Sequence, residues 1–253
     1  MRVKKRQINL KIEGVKAEII YHKFHDSDMK TLLVSFNGEE RRVLSTLDGF
    51  RQVKFVGNVY VPQSLSWYTM ENYEKFEREF PASLGLTPDE ISFLSTGADM
   101  DNLAVCEKSY QEFSVCCLAT GGTGNALRSG VDVGHYLERA GRFEYVPGTI
   151  NIIILFNVAL TSGAMARAII TATEAKTAAL QDLNVKSAYS PELPATGTGT
   201  DNIIIVSGRD SETPLLWTGG HTKIGELIGV SARLAVIEAL EKQEGATARW
   251  KKS

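Results

Sequence analysis

Residues 195–208 read ATGTGTDNIIIVSG: a loop that alternates glycine with threonine, reaches Asp201 and continues into an apolar run. A short apolar run bounded by turn residues is typical of a strand that is buried on both faces. A similar run, NIIILFN, occupies residues 151–157, and the segment between the two runs has helical apolar spacing over residues 162–183. A strand, a helix and a second strand in this order predict a sheet with a helix packed against it.

The rest of the chain adds strands and helices around this unit. Near its start, turn signals such as Asn37-Gly38 separate four strand-like runs that predict an antiparallel meander: QINLKIEG (residues 7–14), AEIIYHKF (17–24), TLLVSFNG (31–38) and RRVLST (41–46). Apolar spacing predicts a helix over residues 69–80 that ends at Pro81, and a last helix over residues 222–243. We therefore expect an α+β or α/β fold: one layered domain over residues 1–253, with N-terminal antiparallel strands followed by a mixed sheet packed with helices.

The composition argues against several classes of protein. The 253 residues are 43% hydrophobic and 23% charged, with a formal net charge of −2, so we expect no basic surface for a nucleic acid. No apolar run approaches the ~20 residues needed to cross a bilayer, and residues 7–16 are too polar for the apolar part of an export signal. We expect a cytoplasmic protein that binds neither nucleic acid nor membrane.

The cysteines and histidines do not form a recognisable metal motif. Cys106, Cys116 and Cys117 lack the spacing of a metal site or a disulfide framework, so we expect buried, reduced thiols. His22 and His25 are three residues apart and have no accompanying glutamate motif, which argues against a metal site there.

The helix predicted over residues 162–183 carries a lysine on its apolar side. On a helical wheel, Lys176 shares the stripe of Ala172 and Leu180, whereas Glu174 points to the opposite side. A buried ammonium group is costly unless a carboxylate pairs with it. Two interpretations stay open: Lys176 is a snorkelling or paired structural residue, or it reaches a site at one edge of the sheet.

The segment TGGHTKIGELIG, residues 218–229, begins the last predicted helix. Thr222 is a suitable N-cap, but Lys223 lies in the first turn, where a cation opposes the helix dipole. We therefore expect an anion near Lys223, either a bound group or a carboxylate such as Asp201. His221, beside a pair of glycines, is a candidate general acid or base.

Two further loops hold polar residues among small ones. In STGADMDN (residues 95–102), Asp99 and Asp101 could orient water or a cation, although such turns are more often structural. GGTGN (residues 121–125) resembles a phosphate-binding loop only loosely, because the Gly-Lys-Ser/Thr ending is missing. A phosphate-binding enzyme is therefore the least supported interpretation.

Taken together, the segments resemble the adenosylcobinamide amidohydrolase family of corrinoid salvage. The resemblance covers roughly residues 95–240 and is carried by STGADMDNLAV, ATGGTGNALRSG, GTINIIILFN, TATEAKTAAL, ATGTGTDNIIIVSG and TGGHTKIGELIG, in this order. It implies hydrolysis of the amide that joins a corrin side chain to aminopropanol, giving adenosylcobyric acid and 1-amino-2-propanol. The cobalt belongs to the corrinoid substrate. The chain has no His-x-His motif, so we expect neither a catalytic metal nor another cofactor.

The resemblance leaves two mechanisms open. In the water mechanism, Glu174 or Asp201 activates a water molecule. His221 or Lys223 then protonates the leaving amine, while backbone N–H groups of residues 197–200 stabilise the oxyanion.

In the threonine mechanism, a hydroxyl is the nucleophile. Gly148-Thr149, Gly197-Thr198 and Gly199-Thr200 resemble the junctions at which self-processing threonine hydrolases cut themselves. Alternatively, these threonines only hydrogen-bond to backbone in tight loops. An intact mass near 27.8 kDa would exclude self-cleavage but not an internal threonine nucleophile.

A corrinoid is rimmed with carboxamides, and seven residues are the candidates to bind it: Asp99, Asn125, Lys176, Gly197, Thr198, Gly199 and Thr200. The same loops would also suit a corrinoid-binding or carrier module that cleaves nothing. Homo-oligomerisation is a further possibility that the sequence leaves open.

Overall fold

Two stacked β-sheets, each covered on its outer side by a pair of helices, make up the computed structural model. The model describes residues 4–134, 148–245 and 248, and only the backbone of Trp67 and Met70. The strands are β1 (Lys4–Ile8), β2 (Lys16–Phe24), β3 (Ser27–Ser35), β4 (Arg41–Ser45), β5 (Gly49–Val53), β6 (Phe55–Tyr60), β7 (Ile91–Thr96), β8 (Ala104–Tyr110), β9 (Phe113–Gly121), β10 (Ala126–Leu127), β11 (Ile150–Phe156), β12 (Gly197–Thr198) and β13 (Asn202–Val206). The α-helices are α1 (Gln63–Glu71), α2 (Tyr73–Ser83), α3 (Ser162–Asp182) and α4 (Lys223–Glu244).

The first sheet has the strand order β1-β2-β3-β6-β7, and the second has the order β5-β4-β13-β11-β9-β8. In the first sheet only β6 and β7 run parallel, and in the second only β11 and β13 do, within the described residues. A short third ladder joins β10 to β12. The fold is therefore α+β with mixed sheets, as the sequence predicts.

Strand β11 shows why the apolar runs are continuous. Ile152 and Ile154 pack against α3 and α4, whereas Ile153 and Leu155 pack against the first sheet. Because successive side chains of a strand point to opposite faces, a strand between two layers must be apolar at every position. The outer side of the first sheet is closed by aromatic side chains of α2, chiefly Phe76 and Phe80.

The prediction of an N-terminal antiparallel meander is wrong for RRVLST. Its strand, β4, leaves the first sheet and pairs with β13 in the second. The turn at Asn37 and Gly38 does form, with φ of 53° and 82°, but it carries the chain from one sheet to the other. Local turn residues predict a reversal of direction, whereas the partner of a strand depends on burial contacts with distant segments.

The predicted helix over residues 69–80 is also wrong in its bounds. The segment forms two helices, α1 and α2, because Asn72 between them takes the non-helical angles φ −128° and ψ 40°. Pro81 lies inside α2 and is buried, so it does not end the helix. Burial of Pro81 offsets the backbone hydrogen bond that a proline cannot donate.

The two long helices match their predicted positions closely. Thr161 caps α3 by accepting a hydrogen bond from the Ala164 N–H, and Thr222 caps α4 through the Gly225 N–H. None of the helices in the described ranges is long and apolar enough to span a membrane.

Candidate active site

The ends of two parallel strands bring the glycine–threonine loops together. β11 and β13 are neighbours, with Asn151 opposite Asn202, so the residues that precede both strands meet at one edge of the sheet. We call the resulting group the strand-end site and define it by Thr149, Lys176, Thr198, Thr200 and Asp201.

Asp201 is the centre of the strand-end site. Its carboxylate accepts hydrogen bonds from the Thr198 N–H at 3.0 Å and the Ile150 N–H at 3.0 Å. It also accepts from the Thr198 hydroxyl and forms an ion pair with the Lys176 ammonium. The Lys176 and Asp201 side chains are only 8% and 14% exposed. A buried ion pair needs such additional donors, because its desolvation cost is otherwise not recovered.

Gly197 makes room for this ion pair. A Cβ at position 197 would lie 2.6 Å from Asp201 Oδ2 and 2.7 Å from Lys176 Nζ, so a side chain there would displace the ion pair. The glycine of the loop therefore permits a close approach of backbone to charged groups.

Thr149 is held against the same loop by reciprocal hydrogen bonds. Its hydroxyl donates to the Thr200 carbonyl, and the Thr200 hydroxyl donates to the Gly148 carbonyl at 2.7 Å. Gly148 has φ +140°, and a Cβ there would lie 2.2 Å from Asn125 Oδ1. The junction before β11 therefore requires a glycine, and Thr149, 4% exposed, is buried.

A chain of buried amides continues from Thr149 into the space between the sheets. The Asn151 side chain donates to Asn58 Oδ1 at 2.9 Å and to the Ser95 carbonyl at 2.8 Å. Asn58 in turn donates to the Thr120 hydroxyl at 2.8 Å. Neither Asn58 nor Asn151 was predicted as a site residue. Asn151 could have been recognised because it lies near the start of an otherwise apolar buried strand, where a buried amide needs hydrogen-bond partners.

Glu174 and His221 lie elsewhere, in an open pocket between α3 and the start of α4. Arg167, Trp217 and Thr222 also line this pocket, which we call the helix pocket. The Arg167 guanidinium lies 5.8 Å from the centre of the Trp217 ring. Both Glu174 and His221 are exposed.

The carboxylate that pairs with Lys223 is that of Glu226, not that of Asp201. Lys223 pairs with Glu226 at 2.5 Å and lies 4.7 Å from the centre of the Tyr110 ring, so the suggested pairing with Asp201 is wrong. Asp201 forms its ion pair with Lys176 instead. Lys176 lies on the buried side of α3, as predicted, and Glu174 lies on the exposed side. The hydrogen bond to Glu226 raises the pKa of Lys223, so its ammonium stays protonated at neutral pH.

Asp99 forms an ion pair with Lys30, in a cluster that also contains Asp101. Both oxygens of Asp99 accept from Lys30, at 2.6 and 2.7 Å, and Asp101 accepts from the same ammonium at 2.7 Å. The cation at this acidic turn is thus a lysine of the chain. Of the predicted site residues, the strand-end site and its rim unite seven: Asn125, Lys176, Gly197, Thr198, Gly199, Thr200 and Asp201.

In the part of the chain that the structure describes, no three side chains of histidine, cysteine, aspartate or glutamate converge as metal ligands would. His22 contacts the Thr31 hydroxyl at 2.8 Å, and His25 lies 3.4 Å from Glu79.

The sequence profile of the adenosylcobinamide amidohydrolase family matches residues 16–248, so the chain belongs to that family. An uncharacterised protein of Methanocaldococcus jannaschii is 46% identical over 228 residues, which are 86% of this chain and 88% of the relative. The adenosylcobinamide amidohydrolase of Methanosarcina mazei is 29% identical over 214 residues, 81% of this chain and 90% of that enzyme.

Solved structures show a weaker likeness. The L-aminopeptidase D-Ala-esterase/amidase of Ochrobactrum anthropi, described as a variant of the Ntn hydrolase fold, has 9% sequence identity and a TM-score of 0.41. The alignment covers 90% of this chain and 84% of that one. A TM-score of this size is too low to define a shared fold.

Proposed function

We propose that this protein hydrolyses the amide between the corrin side chain and the aminopropanol of adenosylcobinamide, and that the strand-end site performs the reaction. Family membership supports the reaction. The position of the Thr149 hydroxyl supports the strand-end site as the location of the reaction. This hydroxyl is held by the loop that also contributes Asp201 to the buried ion pair with Lys176 and that carries the Thr200 hydroxyl, which donates to the Gly148 carbonyl oxygen. The products are adenosylcobyric acid and 1-amino-2-propanol, which fits a role in cobalamin salvage.

The strand-end site holds groups suited to three requirements of amide hydrolysis, which are a nucleophile, a donor for the oxyanion and a charge that stabilises the transition state. The hydroxyl proton of the nucleophile passes to the departing amine as the C–N bond breaks. Thr149 supplies the hydroxyl nucleophile, and the Thr200 hydroxyl supplies a donor. The Lys176 ammonium, oriented by Asp201, places a positive charge where water is largely excluded. Electrostatic stabilisation is strongest in such surroundings.

Substitution of Thr149 tests the place of the reaction. We expect Thr149→Ala to abolish the release of 1-amino-2-propanol from adenosylcobinamide, followed by mass spectrometry. Thr173→Ala is the matched control, because Thr173 is exposed on α3 and its hydroxyl donates to the Ile169 carbonyl of the same helix, at 2.8 Å. Unchanged turnover in Thr149→Ala would exclude Thr149 as the nucleophile.

The helix pocket remains the alternative place, because it unites Glu174 and His221 beside Arg167. If the water mechanism operated there, His221→Ala would lower turnover at least ~100-fold, the smaller effect of losing a general acid or base. If the strand-end site operates, turnover of His221→Ala stays within a few-fold of the wild type.

Binding without chemistry is the competing function. Tight binding of adenosylcobinamide with no amine release would indicate a corrinoid carrier module. The same assay with a chelator tests the expectation of no resident metal: we expect equal release with and without it, and loss of release would indicate a metal ion bound by the protein.

A further inference from the structure

The chain's own Gly148–Thr149 peptide bond lies within the strand-end site. The carbonyl oxygen of Gly148 accepts the Thr200 hydroxyl at 2.7 Å, and the adjoining residue, Thr149, carries the hydroxyl nucleophile. An amide carbonyl with a donor on its oxygen and a hydroxyl on the next residue has the groups needed for an intramolecular acyl shift.

Of the three glycine–threonine junctions singled out in the sequence, the one before β11 receives contacts from the threonines of the other two. The Thr198 hydroxyl donates to Asp201, whose other contacts include the Ile150 N–H. The Thr200 hydroxyl donates to the Gly148 carbonyl. Thr200 therefore contacts the Gly148–Thr149 peptide bond directly, and Thr198 contacts its surroundings through Asp201. Neither hydroxyl donates to the carbonyl of the glycine that precedes it in the chain.

We infer that the protein cuts its own chain between Gly148 and Thr149, an inference that rests on the proposed role of Thr149 as nucleophile. The Thr149 Oγ attacks the Gly148 carbonyl carbon, the C–N bond breaks, and the hydroxyl proton passes to the Thr149 nitrogen. Water then hydrolyses the resulting ester. The products are the Gly148 carboxylate and a free α-amino group on Thr149, whose hydroxyl is restored.

The cut would make two groups of the strand-end site available for a substrate. It frees the Thr200 hydroxyl from the Gly148 carbonyl, so this donor becomes available to the oxyanion of a substrate. It also creates an α-amino group next to the nucleophile. Such groups have a pKa of ~8, which suits a general base near neutral pH.

Denaturing mass spectrometry of the purified protein tests the cut directly. We expect a fragment that begins with Thr149 and a partner that ends with Gly148, with masses that sum to the intact 27.8 kDa plus one water. Thr149→Ala should stay intact, whereas Thr149→Ser and the Thr173→Ala control should be cut. Thr200→Val, which removes the carbonyl donor, should slow cutting by ~100- to 1,000-fold.

The outcomes separate this inference from the proposed function. An intact wild-type chain that still releases 1-amino-2-propanol overturns self-cleavage and leaves the hydrolase standing. A cut chain that releases nothing from adenosylcobinamide keeps self-cleavage and overturns the proposed reaction. Cutting of Thr149→Ala at the same bond would identify a contaminating protease, as would a cutting rate that falls on dilution. Circular dichroism of Thr149→Ala and Thr200→Val confirms that each is folded.

Discussion

Lys176 shows how far single residues can be interpreted from the sequence. Helical spacing places its side chain on the buried face of α3, and the burial of Lys176 confirms this. The identity of its partner was not predictable, because Asp201 lies 25 residues further along the chain, in the loop that precedes β13. Thr149 was one of three equivalent threonines in the sequence, and only the packing of two loops against each other distinguishes it.

The buried ion pair makes a stability prediction at this scale. Asp201→Asn leaves the Lys176 ammonium buried without its counterion, so we expect a loss of ~3–5 kcal/mol in the free energy of unfolding. Asp182→Asn is the control: Asp182 pairs with Arg233, and both side chains are more than 40% exposed, so the loss should be ~0–1 kcal/mol. Urea denaturation measures both.

A double variant checks the cause of that loss. Lys176→Met combined with Asp201→Asn removes the unpaired charge, so it should be more stable than Asp201→Asn alone. If the double variant is equally unstable, the loss comes from the other hydrogen bonds of Asp201 rather than from the buried ammonium.

At the scale of elements, local signals predicted helices better than strands. α3 and α4 were predicted within about one residue at each end, because apolar spacing and the caps Thr161 and Thr222 are both encoded locally. β4 was assigned to the wrong sheet, since its partner β13 lies over 150 residues further along the chain. The predicted end of α2 at Pro81 was also wrong, because Pro81 is buried inside the helix and this burial outweighs its local tendency to end a helix.

Strand β9 carries two cysteines whose thiols should be inert. Cys117 packs against the helices and Cys116 against the first sheet, and burial raises the pKa of both thiols. The thiolate is the reactive form, so raised pKa values mean little thiolate at pH 8. We expect iodoacetamide to leave both residues unmodified in the native protein, to modify all three cysteines after denaturation, and to leave amine release unchanged. A native adduct on β9 would contradict this, as read by peptide mass spectrometry.

At the scale of the whole molecule, the sequence predicted a layered domain of sheet and helices but not the face-to-face stacking of two sheets. An all-strand start followed by strands with helices between them left α+β and α/β both open, and the four-layer arrangement of helices, sheet, sheet and helices is α+β. That two sheets stack face to face follows from which strands pair, and pairing between distant segments is not encoded in any short stretch.

The strand order of the second sheet has a consequence for the integrity of the molecule. β11 lies between β13 and β9, and β13 lies between β11 and β4, so the two strands that follow Thr149 are inserted between two pairs of strands that precede it. Two separate polypeptides divided at that point would each lack the neighbours of their central strands. Co-expressed from two genes, they should assemble into a single heterodimer held by the same ladders, and a tag on one should retain the other until denaturant is added. Pieces that purify independently would contradict this expectation of fragment complementation.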